Sequence, residues 1–444
     1  MNERILELLK NKNYKELRNE LIELNEVNIA DIIEEVDTSE AVILFRLLPK
    51  DMAVDVFSYL SNEQQMNIIN SITDKEIEHI MNELYFDDMI DFIEEMPAYV
   101  VKKILKNTKE EERALINQFL NYPDNSAGSL MTIEYVDLRK DMTVAEAIKH
   151  IKETGIEKET IYTCYVIDSS RKLEGIISLR KLVTCDEDKK IEHIMNTDVI
   201  YVHTHDDQEM VASLFKKYDL IAIPVLDKEE RLVGIITIDD IVDVIEQENT
   251  EDFQKMAGME PTDIEYLDAS VFTLAKNRIA WLLILMVSAT FTGRIIQRYE
   301  EVLQSVAILA AFIPMLMDTG GNSGAQSSTL VIRGLALDEI KTKDFFKVIF
   351  KEFKVSFIVG TVLSVINFLR IYFIEKINFK ISLTVTITLF ITIMLAKIVG
   401  GVLPIIARRL KLDPAIMASP LITTIVDAVA LIVYFTCATM ILGI

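Results

Sequence analysis

The stretch from Val271 to Ile444 is a nearly continuous series of apolar segments. Roughly 20 consecutive apolar residues are satisfied only in a large core or across a bilayer, where every backbone polar group must be paired. Five such stretches are bounded by charges or turns: Leu274 to Gly293, Val302 to Ile332, Val355 to Ile374, Ile381 to Ala407 and Ala415 to Ile444. The sequence therefore predicts five membrane-spanning helices over 271–444. The charge changes sign at the same place. Residues 1–270 carry 29 basic and 59 acidic side chains, whereas the remainder carries 17 and 10. An acidic half long enough for two domains is thus joined to an apolar, mildly basic one, which excludes a single soluble domain. Nucleic acid is a poor partner for so negative a surface, because binding it requires clustered cations. Cations are the natural ligands.

Basic residues such as Lys276, Arg333, Lys343, Lys351, Arg408 and Lys411 flank one side of the spans, against Arg294, Arg298, Arg370, Lys376 and Lys380 on the other. By the positive-inside rule the N-terminus is cytosolic, and an odd number of spans puts the C-terminus outside. The charged, amphipathic start of the chain lacks a signal-peptide core, which agrees with that orientation. Cys164, Cys185 and Cys437 form no CxxC pair and suit a reducing compartment. His203 and His205 stand alone on a loop and read as solvated.

The second and fifth spans exceed the length a bilayer needs and carry potential breaks, at Pro314 and Gly320-Gly321-Asn322-Ser323-Gly324 in one and at Pro420 in the other. Broken membrane helices line cavities, where freed carbonyls offer oxygen to an ion, with a kink that only helps packing as the alternative. Asp427 is the sole charge between Ala415 and Ile444. A carboxylate at such depth costs roughly 2.5–3.5 kcal/mol on insertion scales unless paired, hydrated or functional. It reads as a pore residue, with a neutral, protonated Asp bonded to a neighbouring helix or an ion pair to Lys397 as the structural alternatives. Asp318, beside the glycine run, is either a second pore carboxylate or a helix cap.

In the acidic half, Tyr165 to Val183 matches Pro224 to Val242 at a constant offset, with seven identities in nineteen positions. Each copy reads as strand, turn, strand, helix. The pair resembles tandem cystathionine-β-synthase (CBS) domains. The segment Gly234-Ile-Ile-Thr237-Ile-Asp239-Asp240 fits the part that in some CBS domains holds an adenosine ribose, which makes Thr237 and Asp240 candidate nucleotide ligands. Lys181 replaces the equivalent of Asp240 in the first copy, leaving at most one such site. Residues 3–119 show helical periodicity, and Ala30-Asp31-Ile32-Ile33, Val54-Asp55-Val56-Phe57 and Ile90-Asp91-Phe92-Ile93 recur at multiples of twelve. That spacing suits a superhelical solenoid of helix pairs, with an ordinary bundle as the alternative. A further acidic helix, from Asp240 through Asp243 and Glu248 to Glu251 and Asp252, leads from the repeats toward the first span.

This order of parts resembles the MgtE family of magnesium channels and transporters over essentially the whole chain. The most specific signatures are Pro314-Met-Leu-Met-Asp-Thr-Gly-Gly-Asn322-Ser-Gly-Ala-Gln326-Ser-Ser-Thr329, Asp413-Pro-Ala-Ile-Met-Ala-Ser-Pro420-Leu-Ile-Thr-Thr-Ile-Val-Asp427, and Tyr122-Pro-Asp-Asn-Ser126-Ala-Gly128-Ser-Leu-Met131-Thr132. The resemblance implies an all-α acidic domain (1–128), CBS domains (129–190 and 191–246), a connecting plug helix (247–270) and a five-helix membrane domain (271–444). It also implies a homodimer in membrane lipid, with magnesium as both substrate and regulatory ligand and with ATP as a further ligand. Pore residues would be Asp427, Asn322, Thr329, Asp318 and Glu300. Regulatory carboxylates would be Asp55, Asp87, Asp91, Asp207, Glu209, Asp219, Asp240, Asp243, Glu248, Glu251 and Asp252. Ala325 and Ser419 stand where some relatives have Asn. Rival readings are a magnesium or cobalt exporter and an adenine-nucleotide sensor anchored in the membrane. No P-loop, HExxH or GxSxG pattern points to an enzyme.

Overall fold

Helix caps recur every twelve residues through the N-terminal part, at Asn25, Asp37, Pro49, Ser61, Thr73, Tyr85 and Pro97. Asn25, Asp37, Ser61 and Thr73 accept hydrogen bonds from first-turn amides, satisfying donors that a helix start leaves open. The helices are α1 (Asn2–Lys10), α2 (Tyr14–Ile22), α3 (Glu26–Glu34), α4 (Thr38–Leu47), α5 (Lys50–Ser58), α6 (Asn62–Ser71), α7 (Asp74–Glu83), α8 (Phe86–Glu95), α9 (Ala98–Asn107) and α10 (Glu110–Phe119). α3, α5, α7 and α9 stack successively, and α4 stacks on α6, as expected of a solenoid. The computed structural model describes residues 2–108, 110–262, 264, 266, 267, 269–417 and 419–443. It divides into two units, Met1–Ile245 and Glu246–Ile444.

Within the first unit, two copies of one motif follow the solenoid. The first comprises β1 (Tyr135–Leu138), α11 (Val144–Thr154), β2 (Thr160–Ile167), β3 (Leu173–Ser178) and α12 (Leu179–Thr184). The second comprises β4 (Val202–His203), α13 (Gln208–Tyr218), β5 (Ala222–Leu226), β6 (Leu232–Thr237) and the start of α14 (Ile238–Met256), a helix whose residues from Glu246 on belong to the second unit. In each sheet the first strand runs parallel to the second, which pairs antiparallel with the third. The copies exchange segments. Thr132, ahead of the first, pairs with Ile235 of the second, while Asn196, ahead of the second, pairs with Ile176 of the first. Lys172 bridges Arg231, its own repeat equivalent, as a residue near a pseudo-twofold axis must. Tyr135, Tyr165, Ile167, Leu226, Leu232 and Ile235 form a core shared by both copies.

Gly175 and Gly234 occupy equivalent places beneath these crossings. A Cβ on Gly234 would lie 2.6 Å from the Thr132 carbonyl oxygen, and one on Gly175 2.8 Å from that of Asn196. Both carbonyls accept a β-strand amide, from Ile235 and Ile176. The repeated glycine is therefore the condition for pairing the copies.

The second unit contains α15 (Val271–Arg298), α16 (Glu300–Ser305), α17 (Ile313–Ala336), α18 (Phe345–Leu369), α19 (Phe379–Arg409) and α20 (Ser419–Leu442). Among the described residues, α15, α18 with its flanking turns, α19, and α20 with its preceding turn are long and apolar enough to cross a membrane. α17 is the fifth long helix; at 24 residues it extends about 36 Å, but its polar side chains lower its hydropathy. The chain is a multi-pass membrane protein.

Two expectations are corrected here. The glycine run does not interrupt the second span, because α17 is continuous through it; the irregular part precedes it, as a 3-10 stretch over Ala307–Phe312. Pro314 occupies the first turn, where its missing N–H leaves no bond unmade. The glycines serve packing instead. A Cβ on Gly400 of α19 would collide with the Gly324 carbonyl, and Cβ atoms on Gly320 and Gly321 would meet Thr392 at 2.7 Å and Thr423 at 2.9 Å. Small residues let membrane helices approach closely, and here they bring α17 against α19 and α20. The connecting helix also differs from 247–270: α14 begins at Ile238 and ends at Met256, shortly before Gly258 with φ +72° and Pro261. Ser419 lies outside the described side chains.

Replacing Gly234 with Ala should push apart the Thr132–Ile235 pairing and cost about 1–3 kcal/mol of local stability. Hydrogen exchange in the full-length protein should then accelerate at Thr132 and Ile235, while α3 to α7 remain as protected as in the wild type.

Candidate functional site

α17 separates its residues by polarity. Asp318, Asn322, Gln326, Thr329 and Arg333 are exposed along one line, three or four residues apart, while Gly320, Gly324, Ser327 and Ser328 are buried on the packed side. Asn322 Nδ2 donates to Asp318 Oδ1 at 3.1 Å, one turn away. Lipid cannot solvate such a stripe, so it must face water or another polar surface. α20 supplies Asp427, half-buried and close enough to Asp318 for the two charges to interact. Asp427 makes no ion pair with Lys397 among the described residues. Lys397 turns toward α17, where its ammonium lies 3.4 Å from both the Ser323 carbonyl oxygen and Gln326 Oε1. Ala325, partly exposed, adds only a methyl to this region. Glu300 opens α16, exposed, and accepts from Gln304 Nε2 at 3.1 Å; no contact joins it to Asp427 among the described residues.

The first unit concentrates carboxylates where α8 meets the CBS pair. Asp87 and Asp88 lie on α8, Asp239 and Asp240 in the first turn of α14, and Glu134 and Glu159 just before β1 and β2. Burial pushes Asp87 well above the usual carboxylate range, reinforced by Asp240, Asp88 and Glu159. Burial and then Asp239 raise Glu159 to about 7, and burial and then Asp239 raise Asp88 to about 6. Asp240 also rises to about 6, chiefly from burial, although Thr237 Oγ1 donates to its Oδ2 at 2.8 Å. One oxygen of Glu159, Oε2, is buried without a hydrogen-bond partner. Asp55 on α5 is raised by burial and by Glu26 and Asp51, and the phenol of Tyr85 feels Asp55, Asp87, Glu134 and Glu159 together. These groups repel one another in the protein alone.

The other expected regulatory residues are distributed. Asp207 caps α13, accepting from the Glu209 amide at 3.0 Å, and Asp219 ends that helix in the left-handed region at φ 52°. Asp91 is exposed on α8, and Asp243 and Glu248 lie along α14. In the second unit, Lys255 pairs with Glu251 and donates to Asp413 Oδ2 at 2.7 Å. Burial opposes the Lys255 charge, but these two carboxylates outweigh it and raise the pKa. Asp252 rises through burial, then through Asp413. No three His, Cys, Asp or Glu side chains converge on one metal-sized point among the described residues. The donor set is nevertheless all oxygen, suited to a hard cation that retains its water.

Sequence reasoning missed Asp88, Glu134, Glu159 and Asp239. The doublets Asp87-Asp88 and Asp239-Asp240 were visible, but nothing local marks Glu134 or Glu159, which join the cluster only through the fold. The sequence offers Lys397 only as a partner for Asp427, and it marks nothing at Glu352.

A solenoid of acidic helices, a CBS pair and a helical membrane domain with a polar stripe define a membrane ion-transport protein with a regulatory cytosolic part. Residues 313–437 match the MgtE divalent cation transporter family, 24–125 the MgtE intracellular N domain, and 127–188 and 191–247 the CBS domain. The magnesium transporter MgtE of Thermus thermophilus is 36% identical over 441 residues, covering 98% of this chain and 97% of that protein. Its Bacillus subtilis counterpart is 34% identical over 436 residues, covering 98% and 96%. The solved cytosolic domain of the Mg2+ channel MgtE in complex with ATP is 35% identical, with a TM-score of 0.53, and covers 55% of this chain and 100% of that structure. The chain belongs to the MgtE family.

The cluster dictates a pH dependence. Asp88, Glu159 and Asp240 bind their protons more tightly folded than unfolded, so their packing contributes fully below the ordinary carboxylate pKa of about 4. That contribution is lost as pH rises through about 6 for Asp88 and Asp240 and about 7 for Glu159. In cation-free protein, protection of α8 amides from exchange, corrected for intrinsic rates, should be higher near pH 4.5 than near pH 7.5. An Asp88→Asn/Glu159→Gln variant should flatten this profile; an equally steep one would contradict the assignment.

Proposed function

We propose that the chain conducts magnesium across a membrane down its electrochemical gradient as a homodimer, and that cytosolic magnesium closes the path. The polar stripe on α17 beside Asp427 carries this reading, because a monomer leaves it facing lipid while a second copy can enclose it around water. Asp427 from each copy would attract the ion, and Asp318, the Asn322 amide oxygen and the Thr329 hydroxyl oxygen would accept hydrogen bonds from its water shell, with Glu300 at the outer mouth. Magnesium prefers six oxygens and dehydrates reluctantly, so a path bounded by carboxylate, amide and hydroxyl groups selects it as a hydrated ion. The N-terminus lies in the cytosol, as the basic loops indicate. Transport needs no catalytic site; the gradient supplies the energy.

Regulation follows from crowding. Two carboxylates about 5 Å apart repel by roughly 3 kcal/mol at an effective dielectric near 20. Asp55, Asp87 and Asp240, joined by Asp88 and Glu159, would offer such a site, while Asp91, Asp207, Glu209, Asp219 and Asp243 in the first unit and Glu248, Glu251 and Asp252 in the second would supply further carboxylates to magnesium. Cytosolic magnesium would relieve that repulsion and favour the closed arrangement. Thr237 and Asp240 are suited to an adenosine ribose, so ATP would compete for the Asp240 carboxylate with both Thr237 and the cation.

In proteoliposomes, Asp427→Asn should lower magnesium uptake by about tenfold or more, the equivalent of at least roughly 1.4 kcal/mol. Undiminished uptake by that variant would remove Asp427 from the path. Millimolar magnesium should also make the cytosolic part of the wild type resist protease, and Asp87→Asn/Asp240→Asn should lose most of that protection. A Leu330→Cys substitution beside the stripe should yield a disulfide-linked dimer if α17 faces α17.

A further inference from the structure

Two charges lie buried within the membrane unit, and neither belongs to the polar stripe. Lys397 of α19 is 4% exposed and Glu352 of α18 is 9% exposed. The two charges interact with each other. Both also fasten to the same turn of α17. Lys397 Nζ lies 3.4 Å from the Ser323 carbonyl oxygen and 3.4 Å from Gln326 Oε1, and Glu352 Oε2 accepts from Ser327 Oγ at 2.6 Å. The next residue, Ser328, donates its hydroxyl to the Met417 carbonyl at 2.8 Å, just ahead of α20. This turn also contains Gly324, where the α19 backbone comes so close that Gly400 has no room for a Cβ. Glu352 has a comparable requirement, since a Cβ on Gly401 would stand 3.0 Å from its Cγ.

Burying two full charges in a membrane helix bundle is costly, and packing alone does not require it, because apolar residues of similar volume commonly serve equally well. What charges add is direction and field. Among the described residues, Gln326 is the stripe residue that a charged group reaches from the packed side, through the Lys397 contact to its amide oxygen. The ammonium then sits directly behind the stripe, where it would repel a passing cation unless Glu352 balanced it.

We infer that Lys397 and Glu352 are a positioning pair for the ion path, in which Lys397 fixes Gln326 and the Ser323 carbonyl while Glu352 neutralises the field of its ammonium. The inference rests on the proposed magnesium path and assigns these residues a role behind its wall rather than contact with the ion. Glu352→Gln leaves an uncompensated positive charge and Lys397→Gln an uncompensated negative one. Their effects on ion affinity must therefore have opposite signs. Damage to packing would move both in the same direction.

The test is magnesium uptake into proteoliposomes by the full chain, with folding checked by monodisperse elution. Glu352→Gln should raise KM for magnesium by about threefold or more, and Lys397→Gln should lower it by a similar factor, as expected for a unit charge acting on a divalent ion through a partly screened path. The neutral double variant Lys397→Met/Glu352→Gln should restore KM to within about twofold of wild type, yet transport more slowly because Gln326 is no longer held. Shifts of the same sign, or no shift, in the two single variants overturn the inference. If a single variant does not fold, a double variant with wild-type KM and wild-type maximal rate overturns it equally. Wild-type protein that carries no magnesium would instead reject the transport reading itself, so the two failures are distinct.

Discussion

The close approach of α17 to α19 at Gly324 and Gly400 is the constraint on which the membrane unit depends. Two backbones that nearly touch leave no freedom for either helix to rotate about its axis. Rotation is what matters, because α17 is polar on one side and small on the other. With Gly320, Gly321 and Gly324 turned inward, Asp318, Asn322, Gln326 and Thr329 have to face outward. In lipid there is little hydrophobic drive to bring helices together, so close van der Waals contact and interhelical hydrogen bonds take its place. The buried hydroxyls of Ser327 and Ser328 supply such bonds on the packed side.

The cytosolic unit has a different organising force. Its solenoid and CBS copies are held by ordinary apolar cores, one of which runs from α1 through the second CBS copy. Against that favourable burial stands a cluster of carboxylates whose mutual repulsion grows on ionisation. An arrangement held by packing and opposed by charge is easily biased, since a modest electrostatic term is comparable with the net stability of a domain. The repeat pairing at Thr132–Ile235 and Ile176–Asn196 keeps the CBS pair a single body while α8 and α14 bear the repulsion.

Much of this was legible because it is periodic. The recurring Asp31, Asp55 and Asp91 segments have the twelve-residue period of the helix caps, and the offset between Tyr165 and Pro224 survives as two sheets of identical topology. The glycine run looks like a break in the sequence and is a packing surface in the fold for a physical reason: isolated glycine weakens a helix, but Gly324 in a membrane is stabilised by the neighbour it admits. Glu159 and Glu134 had no local signature, since each lies at a strand entrance and meets Asp88 and Asp239 only after folding. Glu352 was hidden in another way. It stands among Lys347, Lys351 and Lys354, where a carboxylate reads as part of a charged helix end, and only its burial against Ser327 separates it from that context.

The two halves share one selection rule under the proposed function. Among the described residues, carboxylates of the cytosolic cluster interact through space without three of them converging on one point, and in the membrane unit Asp318 and Asp427 interact in the same way. Sites of this kind suit poorly an ion that must be stripped of water, because too few ligands are within direct reach to replace its hydration shell. They suit an ion that keeps its waters and reaches the protein through them, for which spaced acceptors are an advantage. Magnesium is such an ion, whereas calcium accepts more direct oxygen ligands at longer distances. Under that proposal sensor and path would respond to the same species without sharing a fold, because each would present loosely spaced oxygen to a hydrated ion.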